Sequence, residues 1–257
     1  MTHNVMINKY LDSIIKKRQT CYFISPHFDD AVFSAGALMT YLAKHTSVTV
    51  INIFTKASRR PYTLSAEMFL RQCGYRDAQK LFADRGREDA DVFKSINVKV
   101  INLSFSDALW RKKDHLGFLA RFFSNIGELS AVYPTYKLHA IKGKIAKADM
   151  DTVAAIKNEL KAKVSEKNSV VFCPLGIGSH VDHVIARKVC DELFRDVIHW
   201  SDFPYNEKSQ KNSDGLKSFV FAEGLSDKRK LIEGYKSQYG AMFHAGLKLR
   251  PEEFFYK

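Results

Sequence analysis

The sequence predicts an α/β protein, a Rossmann-like three-layer fold with a mainly parallel sheet. Two observations carry this expectation. Apolar runs rich in β-branched and aromatic residues alternate with longer segments of helical period, the pattern of successive βαβ units. The 257 residues, 46% hydrophobic and 26% charged, have the make-up of an ordinary globular protein and can bury a substantial core. One domain over residues 1–257 is expected, and with it one active site.

Residues 21–25 read as a first buried strand, 31–44 as a helix, 47–55 as a second strand and 65–82 as a second helix. Residues 98–103 supply a third strand. A helical segment near 118–128 precedes residues 133–147, whose basic residues and weak periodicity suggest a loop or small insertion. Residues 151–164 return to helical period, 169–173 form another buried strand and 182–194 another helix. Residues 218–222 and 227–239 read as a last strand and helix.

Forty Lys and Arg face twenty-eight Asp and Glu, a net charge of +12. Such a surface suits nucleic acid, anionic lipid headgroups or phosphorylated substrates without choosing among them. The basic residues fall in short runs along the whole chain, as on a solvated lysine-rich surface. A basic, non-catalytic module for nucleic acid or anionic membrane is the alternative to an enzyme. Its binding would weaken steeply with salt. The N-terminus lacks the apolar core of a signal peptide, and no stretch is long and apolar enough to span a bilayer, so a cytoplasmic protein without a transmembrane anchor is expected. Cys21, Cys73, Cys173 and Cys190 show neither CxxC spacing nor disulfide density and read as reduced core fillers.

Ligands in open parallel sheets bind beyond the carboxyl ends of the strands, where helix N-termini point inward. The loop after the first strand is Ser25-Pro26-His27-Phe28-Asp29-Asp30, an imidazole and two adjacent carboxylates between strand and helix. Nitrogen and oxygen ligands of this kind suit zinc, whose catalytic sites take three protein ligands and leave a position for water. The competing explanation is that an aspartate merely caps the next helix.

The loop after residues 169–173 contains Gly176, Gly178 and then Ser179-His180-Val181-Asp182-His183. His180 and His183, at i and i+3, share one face of a helical turn. Two strand-to-helix turns that both deliver His and Asp are hard to attribute to packing, because charged groups there cost desolvation unless paired or metal-bound. A Ser-His-Asp hydrolase is weaker, since no GxSxG elbow occurs. A dinucleotide cofactor is not implied, since no GxGxxG follows the first strand. His3, His45, His115, His139, His199 and His244 sit in no comparable cluster, although His199 and His244 lie near segments that could border the site.

PHxDD together with HxDH resembles the de-N-acetylase family that includes N-acetylglucosaminyl-phosphatidylinositol deacetylase (PIG-L) and the bacterial LmbE-like enzymes. The resemblance extends to Arg85-Gly86-Arg87-Glu88-Asp89, to Asp107-Ala108-Leu109-Trp110-Arg111, to Ser201-Asp202-Phe203-Pro204-Tyr205 and to residues 230–238. It implies a zinc-dependent N-deacetylase, another divalent metal being an alternative, with His27, Asp30 and His183 as metal ligands and Asp29 as general base. His180 would assist the oxyanion or leaving group, in protonated form, with Asp182 holding its imidazole. The chain departs from the commoner family pattern at Ala31, where glutamate is usual, and at Gly178, often tyrosine.

The implied substrate is an N-acylated amino sugar, most often N-acetylglucosamine within a glycoconjugate. Arg85, Asp107 and Arg111 are the candidates for contacting sugar hydroxyls or a phosphate. The basic surface favours a phosphorylated or nucleotide-linked sugar over a neutral one. No specific nucleic acid partner is expected.

Overall fold

The computed structural model describes residues 10–113, 125–209, 213 and 215–257. Seven strands form one sheet in the order β3-β2-β1-β4-β5-β7-β6. Its members are β1 (Thr20–Ser25), β2 (Val48–Lys56), β3 (Lys99–Ser106), β4 (Ser169–Pro174), β5 (Val197–Trp200), β6 (Lys217–Phe221) and β7 (Glu252–Tyr256). The first five are parallel neighbours, and β7 runs antiparallel to both β5 and β6.

The central strands are buried on both faces, which is why they read as continuous apolar runs. Along β1, Cys21 and Phe23 face one core while Tyr22 and Ile24 face the other; along β4, Val170 and Phe172 oppose Val171 and Cys173. Helices α1 (Asp30–Ala43), α3 (Ala78–Ser95) and α6 (Leu225–Glu233) cover the first face. Helices α4 (Met150–Lys163) and α5 (Val181–Leu193) cover the second.

The helix expected over 65–82 is two helices, α2 (Leu64–Gln72) and α3. Gly74, at φ +77°, turns the chain out of α2. Asp77 then caps α3 by accepting the Lys80 N–H at 2.9 Å. The expected helix over 227–239 likewise divides into α6 and α7 (Lys236–Met242) around Gly234. Strands β5 and β7 were not anticipated. Residues 133–147 contain one wide helical turn, Tyr136–Ala140. Of the helical segment expected over 118–128, residues 118–124 lie outside the described residues, and Gly127–Ser130 is a short helix. No helix among the described residues is long and apolar enough to cross a membrane.

Candidate metal centre

Strand order reverses between β1 and β4. Both strands end at the same edge, so the loops at 26–29 and 175–180 open side by side at the topological switch point. Within the first loop, Ser25 Oγ donates to the His27 carbonyl at 2.6 Å and accepts the Ala31 N–H at 3.1 Å. Asp29 makes no capping bond, although it is the residue at the N-cap. The serine relieves it of that task, so capping does not explain the twin aspartates.

Asp30 Oδ2 accepts the His27 backbone N–H at 2.9 Å and stands 2.9 Å from His27 Nδ1. His183 Nε2 approaches the same oxygen at 3.3 Å. That nitrogen is buried and makes no aligned hydrogen bond. Donors about 2.0–2.1 Å from one tetrahedral ion stand about 3.3 Å apart, so this spacing suits a shared cation. His27, Asp30 and His183 could therefore hold a divalent metal through donor atoms within 4.8 Å of one another.

Each histidine is gripped from behind by carboxylate. His27 Nε2 lies 3.1 Å from Asp182 Oδ2 and 3.4 Å from Asp107 Oδ2. His183 Nδ1 lies 2.7 Å from Asp202 Oδ1. Such partners fix the ring orientation of a ligating histidine and raise its basicity. Burial alone would lower both imidazole pKa values, but Asp107 and Asp30 carry His27 well above its ordinary value, and Asp30 with Asp202 pushes His183 up to about 10. Burial would raise Asp30, yet His183 and His27 hold it well below the usual carboxylate range. The pocket thus favours positive charge among these donors.

Asp202 escaped the sequence reading as a site residue, although its segment carried part of the resemblance. It lies just beyond the unanticipated β5, and its other oxygen accepts the Gly176 and Ile177 N–H groups at 2.8 and 2.9 Å. It therefore ties the second loop to the histidine. Asp202→Asn should weaken metal binding by roughly 10- to 100-fold, measured by competition with a chromogenic chelator. Unchanged affinity would show that Asp202 does not tune His183.

Asp29 stands beside this cluster, 3.4 Å from Arg85 Nη2 and accepting a hydrogen bond from Gln238 Nε2. Burial raises its pKa, and Arg85 only partly opposes this. Gln238 comes from α7 and was not anticipated either. His180 precedes α5, and its Nδ1 accepts the Asp182 N–H at 3.3 Å. Burial pushes this imidazole down to about 3. This downward shift runs against the protonated His180 expected from the sequence, and Nδ1 serves as an acceptor. Asp182 also holds that ring through its backbone N–H, while its carboxylate is taken by His27, Arg111 and the Ala108 N–H.

Arg85 and Asp107 line the cavity above these residues, as expected of substrate contacts, but Arg111 does not. Its guanidinium is buried, ion-paired with Asp149 and with Asp182 at 2.5 Å, while Nε donates to the Ser106 carbonyl at 2.9 Å. Tyr133 completes this network by donating to Asp149 at 2.8 Å. Arg111 is thus placed to position Asp182 rather than to meet a sugar.

The cavity encloses about 790 Å³. Among the described residues, its lysine and arginine lining consists of Arg85, already beside Asp29, and Lys137. His199 lies elsewhere, 3.1 Å from Asp191, and His244 does not line the cavity. Gly178, at φ +84°, would place a Cβ 2.9 Å from the Tyr205 ring. Tyr205 therefore fills the room next to this position, and its ring meets His183 edge-on at 5.5 Å.

The model of the PIG-L family, described as GlcNAc-PI de-N-acetylase, matches residues 22–194, a span that contains both site loops. The chain belongs to this deacetylase family. A curated relative, 2'-N-acetylparomamine deacetylase of Niallia circulans, is 27% identical over 242 residues, covering 86% of this chain and 81% of its own. Among solved structures, a deacetylase–bog complex from the teicoplanin biosynthesis pathway superimposes with TM-score 0.74 at 21% identity, covering 92% of this chain and 97% of its own. The zinc-inhibited form of teicoplanin deacetylase Orf2 gives TM-score 0.70 at 20% identity with the same coverages. These likenesses bear out the Rossmann-like α/β expectation.

Proposed function

We propose that the protein is a zinc-dependent N-deacetylase that hydrolyses the acetamide of an amino sugar within a larger glycoconjugate. The observation that carries this reading is the convergence of His27 Nδ1, Asp30 Oδ2 and His183 Nε2 beside a carboxylate, Asp29, that neither caps a helix nor belongs to the donor set. Two imidazoles and a carboxylate are the donor set of a catalytic zinc site. A metal held there supplies Lewis acidity, which polarises the amide carbonyl and acidifies water.

Asp29 removes a proton from the attacking water. Its raised pKa lets it keep that proton until the departing nitrogen takes it. Gln238 and Arg85 fix the direction in which the carboxylate points. His180 is held neutral with Nδ1 as acceptor, so Nε2–H is its donor to the oxygen on which negative charge develops. The amino-sugar assignment is supported by the description of the matching family and the name of the curated relative.

Chelation should abolish acetate release from N-acetylated amino sugars, and added Zn²⁺ should restore it. Activity that survives complete metal removal would overturn the metal role. Release of acetate from N-acetyl amino acids but from no amino sugar would overturn the substrate class.

A further inference from the structure

Residues 133–151 carry Lys137, Lys142, Lys144 and Lys147, none of which the metal centre employs. All four are exposed, and none forms an ion pair among the described residues. Of the two carboxylates in the same stretch, Asp149 is buried against Arg111, and Asp151, in the first turn of α4, is exposed. The stretch is a strip of positive charge that the rest of the protein leaves uncompensated.

Its backbone is fastened at three points. Ser65 Oγ of α2 accepts the Tyr136 N–H at 3.0 Å, the Ser179 carbonyl of the second site loop accepts the Gly143 N–H at 2.9 Å, and the Tyr133 hydroxyl accepts the Ala146 N–H at 3.1 Å. The strip therefore crosses the same sheet edge as the donor cluster, and its Lys137 and Leu138 stand at the cavity lining. A fastened backbone loses little order when its side chains meet a partner.

Apolar side chains project among the lysines. Leu138 is 68% exposed and Met150 48%. Beside them, Leu64 and Met68, at i and i+4 on α2, are 67% and 54% exposed. Glu128 Oε1 accepts the Leu64 N–H at 2.7 Å, which brings the exposed Ile126 and Leu129 against that helix. Lys113 Nζ reaches the Leu129 carbonyl at 3.2 Å. Glu67, the nearby acid of α2, is held by Arg60 at 2.9 Å and Arg71 at 3.8 Å.

Exposed apolar residues gathered in this way mark an interaction surface. Interleaved with unpaired lysines, they suit an anionic lipid interface, where hydrocarbon enters the headgroup boundary and ammonium groups meet the phosphates. Single-stranded nucleic acid would call instead for exposed aromatic rings on which bases stack. In this segment Tyr133 is buried and Tyr136 half-buried.

We propose that the lysine strip of residues 137–147, with Leu64, Met68, Leu138 and Met150, is a docking surface for an anionic lipid bilayer. The inference does not depend on the deacetylase reading. Docking turns the mouth of the cavity toward the membrane.

The test is sedimentation of the full chain with phosphatidylcholine vesicles, with and without added phosphatidylglycerol, over a range of salt concentrations. The protein should partition onto the anionic vesicles, release as salt rises, and bind the neutral ones weakly. Lys142→Gln/Lys144→Gln/Lys147→Gln should lower the partition coefficient by about 100-fold, at about fivefold per lysine. Leu138→Ser/Met150→Ser should lower it roughly tenfold, through lost apolar burial. All five positions are exposed, so the fold tolerates these changes, and thermal melting checks that it does.

Equal partition onto neutral and anionic vesicles, or a triple variant within about twofold of the parent, would overturn the proposal. Binding of an RNA oligonucleotide or of polyglutamate without partition onto phosphatidylglycerol vesicles would assign the strip to that polyanion and overturn the bilayer.

Discussion

Asp29→Asn is expected to lower kcat by roughly 10²- to 10⁴-fold, the range contributed by a positioned acid or base. Zinc stoichiometry and the melting temperature should change little. The substitution keeps the shape and a group able to accept from Gln238, but removes the basic oxygen. It also removes a buried carboxylate whose pKa burial raises, so folding need not suffer. Single-turnover acetate release under saturating zinc and substrate provides the measurement. A variant within threefold of the parent would exclude Asp29 as the base. Loss of zinc together with activity would mean that it belongs to the donor set.

Arg111→Met should act through stability. Asp149 and Asp182 are both buried and share this guanidinium, so its removal takes the Arg111 cation from Asp149 and leaves Asp182 to His27 and the Ala108 N–H. Breaking such a buried arrangement costs about 3–5 kcal/mol. For a chain of this size that corresponds to a fall of about 10 °C in melting temperature. Zinc affinity should fall with it, because Asp182 also braces His27. A raised KM at unchanged melting temperature would restore the sugar-contact role that the sequence suggested for Arg111.

The difference between these two residues shows what was legible in advance. His27, Asp29 and Asp30 stand within four residues at the end of a buried strand, and His180, Asp182 and His183 occupy the equivalent place after another. Local pattern sufficed to locate them. Arg111 has no pattern of its own that distinguishes a cavity wall from an internal ion pair, because its partners lie 38 and 71 residues away. Gln238 reaches Asp29 across 209 residues and Asp202 reaches His183 across 19.

The missed strands have local causes. Strand β5 is only four residues long and includes His199, a buried residue paired in register with Phe255 of β7. Strand β7 opens on Glu252 and Glu253, residues depleted in strands. Yet Glu252 is buried and accepts the Ala37 and Leu38 N–H groups of α1 at 2.8 and 2.9 Å. These groups follow a break in helical geometry at Ala35. A carboxylate from β7, between β5 and the edge strand β6, thus serves the kinked helix that begins at Asp30. The helix pairs α2–α3 and α6–α7 each read as one segment in the sequence because apolar period persists across a turn while the axis changes.

The switch-point arrangement also bears on how the chain acquires its site. His27 and Asp182 meet across 155 residues, so the donor cluster cannot exist in any local intermediate built from β1, α1 and β2 alone. It forms only when β4 inserts beside β1, one of the most sequence-distant pairings in the sheet and one whose loop-closure entropy must be met first. During refolding, metal capture should therefore coincide with the slowest recovery of native structure rather than with early helix formation.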